Sequence, residues 1–359
     1  MMADLASYTG VLGPGPYWAE NQSATLDWLR RNDLNRFRTY ERVDKGLSNF
    51  GGGSRWRHPD ELRTEQSRVN ASLIYRLASR LALAPVQQLY RRRLRDLARE
   101  QLAQKMIADL MARLVAARDV ERELDRVTAS TLGNPSDLFE VGGRSYTPKF
   151  IDEFLKYLDM KELVDFSAVA TLLEIGPGAG TFAELMAKLD NRRRIYLIDI
   201  PPQLYVAERV LEAAFPGEVA TYRTIKRNPD VLHGRAYRIF MLAPWQAETA
   251  EIGPIDLAFN QVSFSEMTTE TVAAYLSLLK RWNTGMIALR AADLRKRNEG
   301  PGGDDYTRCL TGYDLLARIP IGAAGRSVGG ERTSSAFYFK RQNTRPETRD
   351  AGMMRSGVG

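Results

Sequence analysis

Six short apolar runs, separated by helix-like stretches, set the strongest limit on how this chain folds. Continuous apolar runs that alternate with helices are typical of buried strands in a parallel sheet with helices on both faces. The last run alternates more and lies at the end of the series. We therefore predict a Rossmann-like, doubly wound α/β core with an antiparallel last strand. The runs are "ATLLEIG" (170–176), "RIYLIDI" (194–200), "YRIFML" (237–242), "IDLAFNQ" (255–261), "GMIALRA" (285–291) and "SSAFYFKR" (334–341).

A glycine-rich turn follows the first of these runs. In "TLLEIGPGAGTFAEL" (171–185), Gly176, Gly178 and Gly180 stand between a predicted strand and a predicted helix. Such a turn lies at the carboxyl end of a doubly wound sheet, where ligands bind, and glycine lets a ligand approach the backbone closely. The second predicted strand ends at Asp199, nineteen positions after Gly180, where an acid can hold a ribose diol.

The spacing of the glycines in this turn distinguishes two classes of nucleoside ligand. A dinucleotide-binding turn reads GxGxxG and faces a pyrophosphate. Here the spelling is GxGxG, and Glu174 precedes it inside the strand. A carboxylate at that place suits a cationic amino-acid ligand such as S-adenosyl-L-methionine and would repel a pyrophosphate. Glycines that serve only a tight turn between strand and helix remain the alternative.

The motif resembles motif I of class I S-adenosylmethionine-dependent methyltransferases. Three further stretches resemble the sugar O-methyltransferase family of bacterial glycan and antibiotic gene clusters. They are "YLIDIPPQLYVAERVL" (196–211), "FNQVSFSEM" (259–267) and "LGNPSDLFEVGGRSYTP" (132–148). The resemblance covers roughly residues 130–340. It implies methyl transfer from S-adenosyl-L-methionine to a sugar hydroxyl, in natural-product or glycan biosynthesis.

The resemblance also implies a set of cofactor-binding residues. Those of the glycine turn would hold the methionine part, Asp199 would hold the ribose, and residues after the second and third strands would lie beside the adenosine. Trp245 would stack on adenine, with a packed core aromatic as the equal alternative. Asn260 would orient the methionine part or the acceptor. The full set is Glu174, Gly176, Pro177, Gly178, Gly180, Asp199, Ile200, Pro201, Ala243, Trp245 and Asn260.

Methyl transfer to a hydroxyl depends on positioning and on a base that takes the proton. Glu266, after the fourth strand, is the first candidate base, although a carboxylate at a helix start is an equal interpretation. His233 is the second candidate, with a solvated loop histidine as its alternative. The candidate substrate-binding residues are Ser263, Ser265, Tyr205 and Arg290.

We divide the chain into three parts. Residues 1–130 form a mainly helical region that covers the acceptor site, acts as a lid or forms a dimer. Within it, residues 1–60 are rich in aromatics and are expected to pack as an irregular segment, whereas 61–128 have the periodicity of amphipathic helices. Residues 131–341 form the methyltransferase core, and 342–359 are expected to be disordered.

The composition limits which classes of partner and metal site are expected. The formal charge is +7, but much of it lies in "LYRRRLRDLARE" (89–100), and acids are interleaved along the predicted helix that follows. That pattern favours an exposed, ion-paired helix over a nucleic-acid surface. One cysteine and two histidines give no basis for a disulfide framework or a zinc site, while a carboxylate-bound magnesium stays open.

No apolar run is long enough to cross a membrane, and no secretory signal is recognisable, so we expect a cytoplasmic protein. The expected partner is a small-molecule acceptor, with a homodimer through the helical region. One alternative is a methyltransferase that acts on a peptide or on another small natural product. The other is a non-catalytic protein that binds S-adenosylmethionine or nucleic acid.

Overall fold

The computed structural model describes residues 1–31, 34–38, 97, 104, 107–113, 116, 118–135, 137–292, 303–321 and 334–342. The helices predicted between residues 61 and 96 and the tail predicted beyond 342 lie outside the described residues. Within the described part, no helix is long and apolar enough to cross a membrane.

An eight-stranded sheet forms the centre of the protein, in the order β5-β6-β4-β3-β7-β8-β10-β9. The six strands from β5 to β8 in this order pair in parallel, and β10 lies antiparallel between β8 and β9. All six predicted strands are present, and the predicted Rossmann-like fold with an antiparallel last strand is confirmed. The strands are β1 (Phe139–Val141), β2 (Arg144–Tyr146), β3 (Thr171–Ile175), β4 (Arg194–Ile198), β5 (Val219–Ala220), β6 (Ile239–Leu242), β7 (Leu257–Gln261), β8 (Met286–Ala292), β9 (Tyr313–Ile321) and β10 (Ser334–Arg341).

Helices cover both faces of the sheet. Several begin with a signal that satisfies or removes a free backbone N–H: Thr147 accepts a hydrogen bond from the N–H of Phe150, and prolines stand at the first position of other helices. The helices are α1 (Met2–Ser7), α2 (Pro16–Arg31), α3 (Arg118–Leu124), α4 (Pro148–Lys161), α5 (Thr181–Leu189), α6 (Pro201–Ala214), α7 (Tyr222–Arg227), α8 (Pro244–Thr249), α9 (Thr269–Arg281) and α10 (Gly303–Cys309). Short 3-10 turns span Leu34–Arg36, Pro229–Leu232 and Ser263–Glu266.

The winding of the sheet places a crevice above β3. This strand pairs with β4 on one side and with β7 on the other, so the chain reverses its direction of winding there. In open α/β sheets, ligands bind outside the carboxyl ends of the strands at such a switch point. The glycine turn follows β3 directly and therefore lies at the crevice.

Alternation along β3 sets which face each side chain reaches. Leu172 packs in the apolar layer that contains α4 and α5, and Leu173 packs in the opposite layer with α9. Since side chains of a strand alternate between faces, Glu174 lies on the same face as Leu172. A carboxylate is thus placed in an apolar layer, directly before the glycine turn.

Three elements depart from the sequence predictions. The first 31 residues contain α1 and α2 where we expected irregular packing, and Trp18 and Thr25 of α2 are buried. Strand β9 was missed because it is an exposed edge strand that lacks apolar alternation. The hairpin of β1 and β2 was read only as a connector. It closes through Gly142 and Gly143, both with positive φ, as two-residue hairpin turns require.

Arg193 joins three segments at the amino edge of the sheet. The buried guanidinium donates hydrogen bonds to the carbonyl oxygens of Phe166 (2.8 Å), Val169 (3.1 Å) and Met186 (3.2 Å). Buried carbonyls that lose such a donor keep their desolvation cost. This side chain therefore ties the connection before β3 to the carboxyl half of α5.

Replacing Arg193 with Met should lower the free energy of unfolding by about 2–4 kcal/mol, because three carbonyls of buried residues lose the guanidinium as a donor. Urea denaturation followed by circular dichroism measures this change. The matched control is Arg192→Met, which removes an exposed arginine whose ion-pair partner within the described part of the chain is Asp190 and which should change stability by less than about 1 kcal/mol. Equal effects of the two variants would contradict the assigned role.

Candidate functional site

A cavity of about 370 Å³ lies at the carboxyl ends of β3, β4 and β7. Its size is within the range of small-molecule sites. Eight of the residues predicted for the site line it: Glu174, Gly176, Pro177, Gly178, Asp199, Ile200, Ser263 and Glu266. The fold therefore brings the glycine turn, the acid after β4 and the segment after β7 together around one space.

The glycine turn has a conformation and a packing that exclude a side chain at its first glycine. Gly176 has a φ of 74°, and a Cβ there would lie 2.2 Å from Oγ of Ser263. The N–H of Gly176 donates to the carbonyl of Ile198 (2.8 Å), which fixes the turn against β4. Gly180 begins α5 and packs toward Leu211 but does not line the cavity. It has a packing role in this structure, and its contact with a cofactor stays a prediction.

Asp199 presents a carboxylate to the cavity. Its Oδ1 accepts the N–H of Ile200 (2.8 Å), and its Oδ2 accepts the N–H of Gly178 (3.2 Å). Each oxygen keeps capacity to accept a further hydrogen bond. Burial, with a smaller contribution from the negative charge of Glu266, raises the pKa of Asp199 to about 7.

Glu174 and Glu153 form a second acidic wall. Both side chains are buried, and one oxygen of each, Oε2, has no hydrogen-bond partner among the described residues. Burial, together with the negative charge of Glu153, raises the pKa of Glu174 to about 8. Burial also acts on Glu153, but the positive charges of Lys149 and Lys156 outweigh it and hold its pKa at about 2.

The charged residues of α4 were missed by the sequence analysis. Lys149 pairs with Glu153, and Nζ of Lys156 lies 3.1 Å from Oε1 of Glu153. Lys149 and Glu153 both line the cavity. The available signal was their spacing of three and four residues, which places oppositely charged side chains next to each other on one face of a helix.

The N-terminal segment lies over the mouth of the cavity. Leu12, Gly13, Pro14, Gly15 and Trp18 line it. Trp18 Nε1 donates to Oε2 of Glu266 (2.9 Å), and Thr271 Oγ1 donates to the carbonyl of Val11 (2.9 Å). Hydrogen bonds to the segments around β7 and α9 therefore hold this cover in place.

The residues after β7 divide into structural and lining groups. Asn260 is buried, and its Nδ2 donates to the carbonyl of Ile175 (2.9 Å) and to Oγ of Ser263 (2.6 Å). It fixes the glycine turn and is not among the residues that line the cavity, so its contact with a ligand stays a prediction. Ser263 does line the cavity, whereas Ser265 lies outside and donates to the carbonyl of Val262 (2.6 Å). Val262 itself has a φ of 68°, which a β-branched residue rarely adopts.

Two predicted residues lie away from the cavity. His233 is exposed and lies in the segment before β6. The carbonyls of its neighbours, Leu232 and Gly234, accept hydrogen bonds from Arg194 at the amino end of β4. The amino edge of a parallel sheet is opposite to the ligand crevice, so His233 is not placed to act as a base there. Tyr205 is exposed on α6 and lines a different groove, together with Arg209 and Glu212. The expected substrate contact of Tyr205 is not supported by this position.

Four further predicted residues flank the site without lining it: Pro201, Ala243, Trp245 and Arg290. The Trp245 ring packs 5.6 Å from that of Tyr8 and 5.9 Å from that of Tyr222, measured between centroids. It is therefore a packed aromatic in this structure. Pro201 begins α6, and Ala243 precedes α8. Arg290 lies on β8, and its carbonyl accepts the N–H of Val262 (2.8 Å).

No protein-family model matches the chain, and no curated protein sequence matches it. Solved methyltransferases resemble it weakly. The magnesium protoporphyrin IX methyltransferase of Synechocystis, with bound S-adenosylmethionine, aligns over 54% of this chain and 79% of its own at 14% identity and a TM-score of 0.36. The mitomycin 7-O-methyltransferase aligns over 54% and 57% at 14% identity and a TM-score of 0.33.

Human N-acetylserotonin methyltransferase, in complex with S-adenosylmethionine, aligns over 55% of this chain and 54% of its own, at 12% identity and a TM-score of 0.36. The chain thus spans little more than half the length of this protein and of the mitomycin enzyme. Similarity of this degree carries no functional assignment, which has to come from the geometry of the site.

The raised pKa of Glu174 predicts a pH-dependent stability. Its ordinary pKa is 4.5 and its pKa in the folded protein is about 8, so between these values the folded state binds more protons than the unfolded state. The free energy of unfolding should therefore fall as pH rises from 5 to 8, by up to about 1.4 kcal/mol per pH unit for one such group.

Urea denaturation at a series of pH values measures this dependence. The variant Glu174→Gln should show a shallower fall, because it removes the titrating carboxyl. The matched control is Glu162→Gln, at an exposed position just beyond α4, which should keep the wild-type slope. An identical slope in wild type and Glu174→Gln would refute the assignment.

Proposed function

We propose that this protein is an S-adenosylmethionine-dependent methyltransferase. The observation that carries the proposal is the charge of the cavity around the glycine turn. Its described lining residues include the carboxyls of Glu153, Glu174, Asp199 and Glu266 against the one ammonium of Lys149. S-adenosylmethionine carries a sulfonium and an ammonium against a single carboxylate, so its net positive charge suits this wall. A dinucleotide pyrophosphate would meet repulsion there.

The raised pKa values of Glu174 and Asp199 agree with a cation site. Burial favours the neutral form of each carboxyl while the cavity holds no cation, and a bound cation favours the ionised form. In this proposal, different residues bind different parts of the ligand. Asp199 accepts hydrogen bonds from the ribose hydroxyls, and the unpartnered oxygens of Glu153 and Glu174 accept from the ammonium. Lys149 faces the carboxylate.

Within this proposal, the acceptor is a sugar hydroxyl, on the basis of the resemblance described above. S-adenosylmethionine supplies an electrophilic methyl group, and the protein supplies positioning, exclusion of water and a base. Glu266 is the candidate base because it lines the cavity and its Oε2 already accepts a hydrogen bond from Trp18. The N-terminal segment, which covers the mouth, excludes water from the site.

Calorimetric titration with S-adenosylhomocysteine tests the cofactor. Micromolar binding is expected, with none for NAD. The variant Asp199→Asn should bind at least about tenfold more weakly, because it loses charge-assisted hydrogen bonds to the ribose. The matched control is Asp190→Asn, at the end of α5 on the amino edge of the sheet, which should bind as wild type. Absence of wild-type binding would refute the proposal.

Glu266→Gln tests the base. Turnover of S-adenosylmethionine to S-adenosylhomocysteine is first screened against a panel of nucleotide sugars and glycosides. With any acceptor that the wild type uses, the variant should lose about 100-fold or more in kcat, because proton transfer by a positioned base contributes factors of this size. Its affinity for S-adenosylhomocysteine should be retained. Unchanged kcat would remove Glu266 from this role.

A further inference from the structure

Gln203 is a buried polar residue in the first turn of α6. It is only 2% exposed, and both its Oε1 and its Nε2 lack a hydrogen-bond partner among the described residues. It also lines the cavity. A buried primary amide without partners costs stability, so a residue of this type facing a cavity indicates a ligand that supplies the missing hydrogen bonds.

The position of Gln203 within its helix explains why it has no hydrogen-bond partner among the described residues. It is the third residue of α6, after Pro201 and Pro202, and Ile200 is the N-cap. A glutamine at this position ordinarily accepts the N–H of the N-cap residue. Here that N–H is taken, because Ile200 donates it to Oδ1 of Asp199 (2.8 Å).

Helix α8, after the neighbouring strand, shows the ordinary arrangement. It also begins with proline, and Gln246 is its third residue. Oε1 of Gln246 accepts the N–H of the N-cap Ala243 (2.9 Å), and its Nε2 donates to the carbonyl of Tyr222 (3.3 Å). The same residue at the same helical position is therefore satisfied where no carboxylate competes for the N-cap N–H. Asp199 displaces Gln203 from that role.

Packing places the Gln203 amide next to the glycine turn. Gln203, Ala207 and Leu211 lie four residues apart on one face of α6. A Cβ on Gly180 would lie 3.2 Å from Cδ1 of Leu211 and 3.5 Å from Cβ of Ala207, so this face rests on the turn. Helical side chains lean toward the helix N-terminus, which for Gln203 is the direction of Asp199 and the cavity.

We propose that Gln203 recognises the ribose of the bound nucleoside: its Nε2 donates a hydrogen bond to a hydroxyl oxygen of the diol that Asp199 holds. The inference rests on the proposed function and names a further specificity residue of that site. An ionised carboxylate only accepts, so Asp199 takes the hydroxyl hydrogens and leaves the hydroxyl oxygens without a donor. Gln203 supplies that donor, and a nucleoside without the hydroxyl leaves it unsatisfied.

The experiment compares Gln203→Met and Gln203→Glu with wild type by calorimetric titration of S-adenosylhomocysteine and of its 2′-deoxy and 3′-deoxy analogues. Methionine keeps the length of the side chain without its polar atoms, and glutamate keeps the shape but replaces the donor. Both variants should bind S-adenosylhomocysteine about tenfold more weakly, as expected for one lost hydrogen bond to a buried group. For one of the two deoxy analogues, the difference between each variant and wild type should shrink to about twofold or less.

If Gln203 stabilised the fold, its replacement would lower the Tm of the ligand-free protein. The inference predicts instead that Gln203→Met has an unchanged or higher Tm in thermal unfolding, because the variant removes an unpartnered buried amide. The matched control is Thr284→Val, which removes a buried hydroxyl that also lacks a partner among the described residues and lies before β8, outside the cavity. It should leave every affinity at the wild-type value.

Two results overturn the inference alone: wild-type affinity in the Gln203 variants, or an equal loss for S-adenosylhomocysteine and both deoxy analogues. Failure of the wild type to bind S-adenosylhomocysteine overturns the proposed function and the inference with it. The two failures are therefore distinguished by the wild-type titration.

Discussion

The hydrogen bonds that hold the glycine turn between β4 and β7 are the constraint on which the site depends. The N–H of Gly176 bonds to the carbonyl of Ile198, and Asn260 bonds to the carbonyl of Ile175 on the other side. Asn260 also holds Ser263, whose Oγ occupies the space where a Cβ on residue 176 would lie. The turn, the acid after β4 and the segment after β7 therefore have one relative arrangement, and the cavity is the space that this arrangement leaves.

Several polar groups on the wall of the cavity are buried without hydrogen bonds to the described residues. Among the described residues, Glu153 and Glu174 each bury an oxygen without a partner, and Gln203 buries a whole amide. Such groups lower stability unless something completes their hydrogen bonds. Their concentration on the wall of one cavity, at the switch point of the sheet, is what a site prepared for a polar, cationic ligand requires. Binding would return the stability that the free protein lacks.

The N-terminal segment makes this site enclosed. Residues 12–18 lie across the mouth, and the Trp18–Glu266 and Thr271–Val11 hydrogen bonds connect them to the segments around β7 and α9. A residue that lines the site is thereby fixed by a part of the chain almost 250 positions away. Enclosure lowers the local dielectric constant, which strengthens each electrostatic interaction inside. The same enclosure underlies the raised pKa values of Glu174 and Asp199.

The amino-acid sequence by itself determined the parallel sheet, the glycine turn and the acid after β4, because each is a local pattern of apolar runs or of residues next to a strand end. It also predicted eight of the residues that line the cavity. Only the tertiary structure decided the rest. Lys149, Glu153 and Gln203 reach the site because of how α4 and α6 pack, and Trp18 reaches it because the N-terminal segment folds back over the mouth. His233 and Tyr205 were misplaced because a residue's type does not tell which edge of a sheet or which side of a helix it occupies. The conformation of a strand or a turn depends on neighbouring residues, whereas contacts between distant segments depend on packing that no short stretch of sequence encodes.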